Sequence, residues 1–522
     1  MKNKSFSIVI FLTIILFTIS VFLREIQFSG TKMVWNMDAS YHVLLTAKAY
    51  DATSWTIHKF LPIVSLGKEL DKHTPWGATI PDSKGNFYYT SFGTLGFLLP
   101  YLAFKLLAVE PSIQALSRLN FVIHFLSTVA FSLLIWRTLE TIAVSQTRRI
   151  IATITAAAIY IFSFESLYSH GIIYWHHSPW NLVWICQILC FQTFVVNEKP
   201  SFKLKGIYFL LCFISPLLEW TGFLGNIILA ILPFLLVELR KKQLYSKVVL
   251  AITVLCIGVC LFHFESVVGF DETLTALKYR FEARNAGRGT KEFYSLIQDL
   301  FRDYTQSFGL VIWLAIGSLI ILRKKLLSQS GLHLKIALIA SSFVVLENFL
   351  MVQHAVVYTF DRLKVIIPIT LLVVALFSAL PRKWAGVVLS IVALSLILNI
   401  NSYTSGERER DIQFVLDDNK RIVQSLSSEI HSCTVLAATS DVRGWMNLYF
   451  GRGVYEEILD GEVLKHLTER LNACNGILIK VEKLSVPRGK NCQGYCGQDI
   501  IHHFKGFEIY HYKMDKVQST AH

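Results

Sequence analysis

Charged residues are scarce in this chain of 522 residues, at 17% of the sequence against the roughly 25% that soluble domains carry. Apolar residues make up 53% and gather in runs of about 15 to 20, the length that crosses a hydrocarbon layer about 30 Å thick. This scarcity of charge excludes an ordinary soluble protein. We therefore expect an all-α polytopic membrane protein.

Three further absences narrow the class of protein. No small-residue cleavage site follows the first apolar run, because Arg24, Glu25 and Ile26 come next, so we expect this run to stay as an uncleaved helix. The chain has no glycine-rich phosphate loop, which argues against a protein driven by ATP. It also has no internal repeat and no low-complexity segment.

Acidic residues are the scarcer charged class, with 37 Asp and Glu against 50 Lys and Arg. In a membrane protein such an excess of basic residues is typical of cytoplasmic loops, so no nucleic-acid partner is expected. If residues 91–109 crossed the membrane, the basic connections around Arg148, Lys203 and Lys241 would face outward. Placing 91–109 at the outer interface brings them inside and predicts about eleven spans, with the N-terminus cytoplasmic and the C-terminus outside.

Two domains follow from this topology. Residues 1–400 form the predicted transmembrane domain, in which 24–117 are a long first extracytoplasmic loop with interfacial helices; residues 401–522 form a small extracytoplasmic α/β domain. The four cysteines of this tail are Cys433, Cys474, Cys492 and Cys496. An even number in an oxidising compartment favours disulfide bonds, whereas a zinc site needs a second cysteine pair at matching spacing.

Ionisable residues within or at the ends of spans are costly and mark functional sites. Acidic residues stand at or near the predicted outer ends of several helices, namely Glu165, Glu219, Glu265, Glu347 and Asp361. They indicate a cavity that opens outward, with solvated helix ends as the alternative. Asp38 stands apart, because it follows the first span and directly precedes an amphipathic run. In that place it either caps a surface helix, worth about 1 kcal/mol, or acts as a base in a cavity at the interface.

Aromatic residues and histidines supply the remaining candidates for a substrate pocket. These are Tyr41 and His42 after Asp38, Tyr88 and Tyr89 after a turn in the first outer loop, and His176 and His177 after the third span. The tyrosines in the loop either hold a polar ligand or form an aromatic belt at the membrane surface. Adjacent histidines point apart on a regular element, so one of the two can line a sugar or phosphate pocket, but the pair is not expected to bind one metal.

A basic patch lies on the side of the membrane where basic residues are not expected. Arg280 and Arg284 belong to the predicted outer loop after the seventh span. A guanidinium group matches phosphate oxygens in a bidentate geometry, so the patch favours a phosphate site. A solvated loop is the alternative.

Four short elements follow one another in the first part of the chain. They are Asp38 in the long outer loop, a surface helix at 38–52, Tyr88-Tyr89-Thr90-Ser91-Phe92-Gly93 at the entry to a second surface helix at 88–109, and Ser117-Arg118-Leu119 opening the next span. This order, over roughly the first 240 residues, resembles the GT-C membrane glycosyltransferases that use polyprenyl-phosphate sugar donors, which include the aminoarabinose and protein O-mannosyl transferases. Ala39 stands where many members have a second acid.

The resemblance implies an inverting transfer in which Asp38 is the base that takes the proton of the acceptor hydroxyl. Cationic groups must then stabilise the departing lipid phosphate, and Arg280 and Arg284 suit this role. The implied partners are a polyprenyl-phosphate sugar donor, a lipid, glycan or protein acceptor, and membrane lipids, with the bacterial inner membrane as the location. No cofactor is assigned, and a divalent metal is left open.

Two other functions fit a protein with many spans. A lipid-linked sugar flippase or another carrier should show paired broken helices near the bilayer midplane and internal halves. A polysaccharide polymerase or ligase would need its main acceptor-binding loop in the later half of the chain.

Overall fold

The computed structural model of the protein describes most of the chain. The described residues are 2–29, 38–67, 79–91, 93–140, 142, 144–196, 200–285, 292–327 and 331–405, and in the tail 424, 426–427, 430–431, 433–438, 440–456, 471, 477–483, 498–504 and 507–513.

Helices make up most of the described chain. They are α1 (Lys2–Ser29), α2 (Asp38–Ala52), α3 (Trp55–His58), α4 (Leu95–Leu107), α5 (Ile113–Glu140), α6 (Gln146–Phe162), α7 (Phe164–Leu167), α8 (His177–Val196), α9 (Phe202–Leu218), α10 (Thr221–Leu235), α11 (Gln243–Val268), α12 (Phe270–Arg284), α13 (Phe293–Phe308), α14 (Leu310–Leu327), α15 (Leu332–Leu350), α16 (Val352–Val357), α17 (Thr359–Leu363), α18 (Ile366–Ala379), α19 (Arg382–Thr404) and α20 (Ser440–Phe450). A π-helical turn, Tyr168–Ile172, follows α7, and a 3-10 helix, Val237–Lys242, precedes α11.

Each of the eleven apolar runs predicted to cross the membrane is helical; the helices are α1, α5, α6, α8, α9, α10, α11, α14, α15, α18 and α19. Among the described residues, six helices are long and apolar enough to cross a membrane, or up to eight if each of two bent pairs is one span. The bends are 62° after α6 and 107° between α13 and α14. The polytopic helical fold is confirmed, while the count of eleven spans stays a prediction.

Helix α4 is too short to cross the membrane. It has 13 residues, which at 1.5 Å per residue is about 20 Å, and the hydrocarbon layer is about 30 Å thick. This length agrees with the expectation that residues 91–109 lie at an interface.

The two ends of the helix bundle differ in charge. At one end the starts of α6 and α15 meet the ends of α5 and α18: His333 Nδ1 lies 3.3 Å from the carbonyl oxygen of Arg137, and Arg148 donates to the carbonyl oxygen of Leu380. Acidic residues predicted at outer helix ends gather at the opposite end of these helices, where Glu347 of α15 meets Lys364 ahead of α18. The basic connections therefore share one end of the bundle, as the charge pattern predicts.

Serine side chains mark where several of these helices begin. Ser145, Ser163 and Ser201 each have an extended backbone, and each hydroxyl accepts from a backbone N–H in the first turn of α6, α7 and α9. Such a cap is typically worth about 1 kcal/mol. Since Ser163 both ends α6 and caps α7, it sets the bend that places Glu165.

The chain forms two compact units, one of Met1–Phe28 and Thr90–Arg408 and the other of Ser29–Tyr89 and Glu409–His522. Residues 29–89 thus group with the tail, whereas the sequence analysis assigns the whole first outer loop to the transmembrane domain. We describe each unit by itself.

The second unit contains two sheets. Strands β1 (Thr79–Pro81) and β2 (Phe87–Tyr89) form an antiparallel pair. The tail has a mixed sheet in the order β4-β3-β5-β7-β6, built from β3 (Thr434–Ala438), β4 (Tyr455–Glu456), β5 (Ile477–Lys483), β6 (Gln498–Phe504) and β7 (Phe507–Lys513). With α20 this sheet confirms the predicted small α/β domain.

Of the four tail cysteines, the structure describes one. Cys433 is disulfide-bonded. Cys474, Cys492 and Cys496 lie outside the described residues, so the pairing among the four cysteines stays a prediction.

Candidate active site

Charged side chains from distant parts of the first unit gather at the acidic end of the helix bundle. We call them the acidic-end cluster, and its members are Glu165, His177, Glu219, Asp303, Glu347, His354, Asp361, Arg362 and Lys364. All are buried except His354, which is half-buried. The outer-end acids of the sequence analysis that join it are Glu165, Glu219, Glu347 and Asp361. Glu265 is exposed and does not.

Asp361 of α17 lies between two histidines. Its Oδ1 is 2.6 Å from His177 Nε2, and its Oδ2 accepts from His354 Nδ1. The same His177 nitrogen is 3.8 Å from Glu219 Oε1. His177, at the start of α8, therefore links the ends of α9 and α17.

Arg362 of α17 joins three other elements. Its Nε is 3.2 Å from Glu165 Oε1 and its Nη1 is 3.4 Å from Asp303 Oδ2, while Nη1 also donates to the carbonyl oxygen of Ala355 at 2.8 Å. Ser307 of α13 donates to the same Glu165 oxygen. A buried guanidinium with two carboxylates and a backbone acceptor is paired and hydrogen-bonded, as burial of a charge requires.

Lys364 completes the charged run ahead of α18. Its Nζ donates to Glu347 Oε2 at 2.9 Å and to Thr221 Oγ1 at 2.9 Å. Thr221 at the start of α10 in turn donates its backbone N–H to Glu219 Oε2 at 3.1 Å. Thr221 and Glu219 thus connect the Lys364–Glu347 pair to His177, which contacts Asp361. The cluster is continuous.

The cluster holds five carboxylates against two cations, Arg362 and Lys364, so it has an excess of negative charge. Burial and the positive charge of Arg284, which is buried at the end of α12, together lower the pKa of His354 to about 4, and burial is the larger cause. The Asp361 carboxylate opposes this shift. His354 is therefore neutral at pH 7 and can donate its Nδ1 proton to Asp361. Ionisable residues buried at the end of a helix bundle mark a candidate functional site.

Arg280, the other predicted phosphate residue, lies one turn earlier on α12. Its Nε donates to Ser91 Oγ at 2.9 Å. Ser91 stands at the entry to α4, so α12 connects that entry to the acidic-end cluster through its two arginines.

The entry to α4 packs closely on α9 and on the loop before α8. A Cβ at Gly93 would lie 2.1 Å from the carbonyl oxygen of Leu217, and a Cβ at Gly96 would lie 2.1 Å from His176 Nδ1. His176 Nδ1 is 2.9 Å from the carbonyl oxygen of Leu218, and burial lowers the pKa of His176 to about 3. His176 is therefore a neutral packing residue, whereas its neighbour His177 faces Asp361.

A second buried network lies beside the cluster. Arg24 Nη1 of α1 is 3.0 Å from His124 Nδ1 and donates to the carbonyl oxygen of His170 at 3.0 Å. The rings of His124 and His170 stack at 4.6 Å, and His170 Nδ1 is 2.6 Å from Ser178 Oγ. Arg24 thereby holds the π-helical turn between Glu165 and His177.

The other predicted site residues belong to the second unit. Asp38, the first residue of α2, is exposed to solvent. Enough protein nevertheless surrounds its carboxyl group that burial raises its pKa above the ordinary value, against the lowering effects of the Ala39 N–H and the Arg443 charge.

All four aromatic candidates of the second unit contact neighbouring residues. The rings of His42 and Tyr89 are 5.2 Å apart. Tyr88 is fully buried and donates to Asp82 Oδ2 at 3.1 Å, so it stabilises the turn between β1 and β2. Tyr41 is buried against the tail helix α20.

Sequence reasoning misses several residues of these networks, namely Arg24, His124, Asp303, His354, Arg362 and Lys364. The sequence feature that could have indicated Arg362 and Lys364 is the run from Asp361 to Lys364 at the head of an apolar span, in which three of four residues are charged. Among the described residues, no group of three or more His, Cys, Asp or Glu side chains is arranged to hold a metal ion.

No protein-family model and no curated protein matches the chain. Solved structures do match. ArnT from Cupriavidus metallidurans, bound to undecaprenyl phosphate, matches with a TM-score of 0.58 and 7% identity over 98% of this chain and 98% of that chain. The oligosaccharyltransferase AglB from Archaeoglobus fulgidus, in complex with an inhibitory peptide and a dolichol-phosphate, matches with a TM-score of 0.55 and 13% identity over 92% of this chain and 69% of that chain.

A further structure of the Archaeoglobus fulgidus oligosaccharyltransferase, in complex with Zn and sulfate, matches with a TM-score of 0.53 and 16% identity over 90% of this chain and 67% of that chain. These likenesses confirm the fold that the sequence analysis expects. The chain shares the fold of these ArnT and AglB structures.

Proposed function

We propose that the protein is an integral membrane glycosyltransferase that moves a sugar from a polyprenyl-phosphate donor to a lipid, glycan or protein acceptor on the extracytoplasmic face. The observation that carries the proposal is the shared fold over 98% of both chains with ArnT bound to undecaprenyl phosphate. Arg280 and Arg284 of α12 support it, because a guanidinium group matches phosphate oxygens in a bidentate geometry.

The proposed reaction is a single displacement with inversion. The acceptor oxygen forms a bond to the anomeric carbon while the bond from that carbon to the phosphate oxygen breaks, and the lipid phosphate leaves with the electron pair. Asp38 takes the proton of the acceptor hydroxyl. The raised pKa of Asp38 makes it a stronger base than an ordinary aspartate, which suits general-base catalysis near neutral pH.

The departing phosphate needs cations. Arg280 and Arg284 lie on one face of α12, four residues apart, and α12 ends beside the acidic-end cluster. Arg280 is already oriented by Ser91, so its guanidinium is held in place before a donor arrives. Preorganised donors of this kind stabilise charge that develops in the transition state.

Transfer from a labelled polyprenyl-phosphate sugar by the purified protein tests the function, with Arg280→Gln/Arg284→Gln as the test of the phosphate site. We expect the double variant to raise the KM for the lipid donor at least tenfold, because charge-assisted hydrogen bonds contribute about 1.5–3 kcal/mol each. Lys278→Gln removes one exposed charge from the same helix and serves as the matched control. An unchanged dependence of rate on donor concentration in the double variant would exclude these arginines from the donor site.

The orientation of the protein in the membrane is part of the proposal. The basic connections share one end of the bundle, and positive loops face the cytoplasm. Reporter enzymes fused after Lys242 and after Asn401 are expected to report the cytoplasm and the outer compartment, respectively. A fusion at Lys242 that is active only in the outer compartment would reverse the proposed orientation.

The carrier alternative predicts broken helices at the bilayer midplane, and two bent helix pairs are present. Both breaks lie at the acidic end, because Glu165 just after the first bend accepts from Ser307 just before the second. Helix α6 has 17 residues, about 26 Å of rise, before its bend. The breaks thus lie near one end of the bundle, and the same assay separates the two functions, since a carrier moves the lipid-linked sugar without cleaving it.

A further inference from the structure

The tail helix α20 packs along the surface helix α2 within the second unit. Lys48 Nζ of α2 donates to the carbonyl oxygen of Leu448 at 2.7 Å. Nearer the start of both helices, a Cβ at Gly444 would lie 2.8 Å from the ring of Tyr41. That ring is buried, so a side chain at position 444 would require the ring or α20 to shift.

Arg443 stands directly before Gly444 and is therefore carried to the start of α2, where Asp38 lies. It is half-buried, and its positive charge lowers the pKa of Asp38 while burial raises it. On α2 itself the titratable neighbours of Asp38 within about one turn are Tyr41 and His42, and His42 packs against the ring of Tyr89. Among the described side chains of α20, Arg443 is the charged group that acts on Asp38.

Burial and the Arg443 charge act on the pKa of Asp38 in opposite directions. Burial alone would favour the protonated carboxyl group, which cannot accept a proton from the acceptor hydroxyl. A guanidinium next to the carboxylate favours the ionised form and can orient it through directional hydrogen bonds. The backbone N–H of Ala39 at the first turn of α2 also lowers the pKa of Asp38, and its effect is larger than that of Arg443.

We propose that Arg443 is a positioning residue that keeps the Asp38 carboxylate ionised and oriented, so that the tail domain is a working part of the active site. This inference rests on the proposed function. It assigns the tail a role in the reaction that the position of Asp38 in the first outer loop does not suggest.

The pH dependence of kcat/KM for transfer tests the proposal in the full-length protein. In Arg443→Gln the acid limb is expected to move to higher pH by about one unit, because loss of a nearby positive charge raises the pKa of a carboxyl group. At pH values well above that limb the variant should keep most of its turnover. Arg443→Lys should return the limb toward its original position, since it restores the charge.

Lys84→Gln is the matched control, because it removes one exposed positive charge from the same unit; it should leave the profile in place. Gly444→Ala keeps Arg443 in the chain but pushes α20 away from Tyr41, and it should shift the limb in the same direction. If Arg443→Gln does not fold, the Gly444→Ala profile decides the question.

The outcomes separate this proposal from the proposed function. An unshifted acid limb in folded Arg443→Gln, with Asp38→Asn inactive, would overturn the role of Arg443 alone. Near-normal transfer by Asp38→Asn would instead remove the base that Arg443 is proposed to position.

Discussion

Asp38→Asn is expected to lower turnover by about 10²-fold or more while the protein stays folded, because this is the scale that a general base contributes. Asparagine has the same size as aspartate and can still accept a hydrogen bond at the start of α2, but it cannot take a proton. The measurement is the rate of sugar transfer at saturating donor, together with thermal unfolding of the purified variant. The same variant should lose the acid limb of the pH profile that the raised pKa of Asp38 produces.

The alternative role of Asp38 as a helix-capping residue predicts a different result. Asp38→Ala would then cost about 1 kcal/mol of folding free energy, and Asp38→Asn would cost little and leave transfer near normal. In that case the base would have to be sought among Glu165, Glu219 and Glu347. Glu165 and Glu347 are each paired with a cation. Glu219 would therefore be tested first, since it lies 3.8 Å from His177 and accepts from the Thr221 N–H.

Lys364→Met is expected to destabilise the protein by about 3–5 kcal/mol, the cost of removing one partner of a buried ion pair. Lys364 donates to Glu347 and to Thr221 at the acidic end, and both charged side chains are at most 8% exposed. Without the ammonium group, the Glu347 carboxylate stays buried without its cation. Thermal unfolding in a fixed detergent, compared with the unmodified protein, measures the loss.

The double variant Glu347→Gln/Lys364→Met should recover most of that loss, since it leaves no unpaired charge at this position. Lys335→Met is the matched control, because it breaks the more exposed Lys335–Glu238 pair at the basic end, where the two side chains are 13% and 30% exposed. Pairs of this kind contribute at most about 1 kcal/mol. If the unfolding temperature of Lys364→Met is no lower than that of Lys335→Met, the buried Lys364–Glu347 pair contributes less to the folding free energy than predicted.

The helices could be predicted from the sequence because a segment in lipid must satisfy its own backbone hydrogen bonds and be apolar along its length. The apolar runs of α1, α5 and α19 are visible for this reason. The interfacial placement of residues 91–109 also follows from charge, because taking this segment out of the count of spans brings the basic connections to the cytoplasmic side of the membrane. A helix of 13 residues in that segment agrees with it.

The candidate site is only partly visible in the sequence. Glu165, Glu219 and Glu347 stand out because a carboxylate at the end of an apolar helix is costly. Arg362 and Lys364 form a charged run with Asp361 at the head of an apolar span, but the sequence does not show which acid each of them pairs with. Nothing local indicates that Arg362 meets Glu165, since 197 positions separate the two.

Composition and short local patterns predict the class of protein, the helical segments, the acidic and basic ends of the helices and the α/β character of the tail. Which carboxylate meets which cation, and which tail residue acts on Asp38, follows only from the tertiary structure. Helix α8 is apolar on most of its surface and its pattern favours no single face. Its neighbours are therefore chosen by packing against distant segments, and that packing is what brings His177 to Asp361.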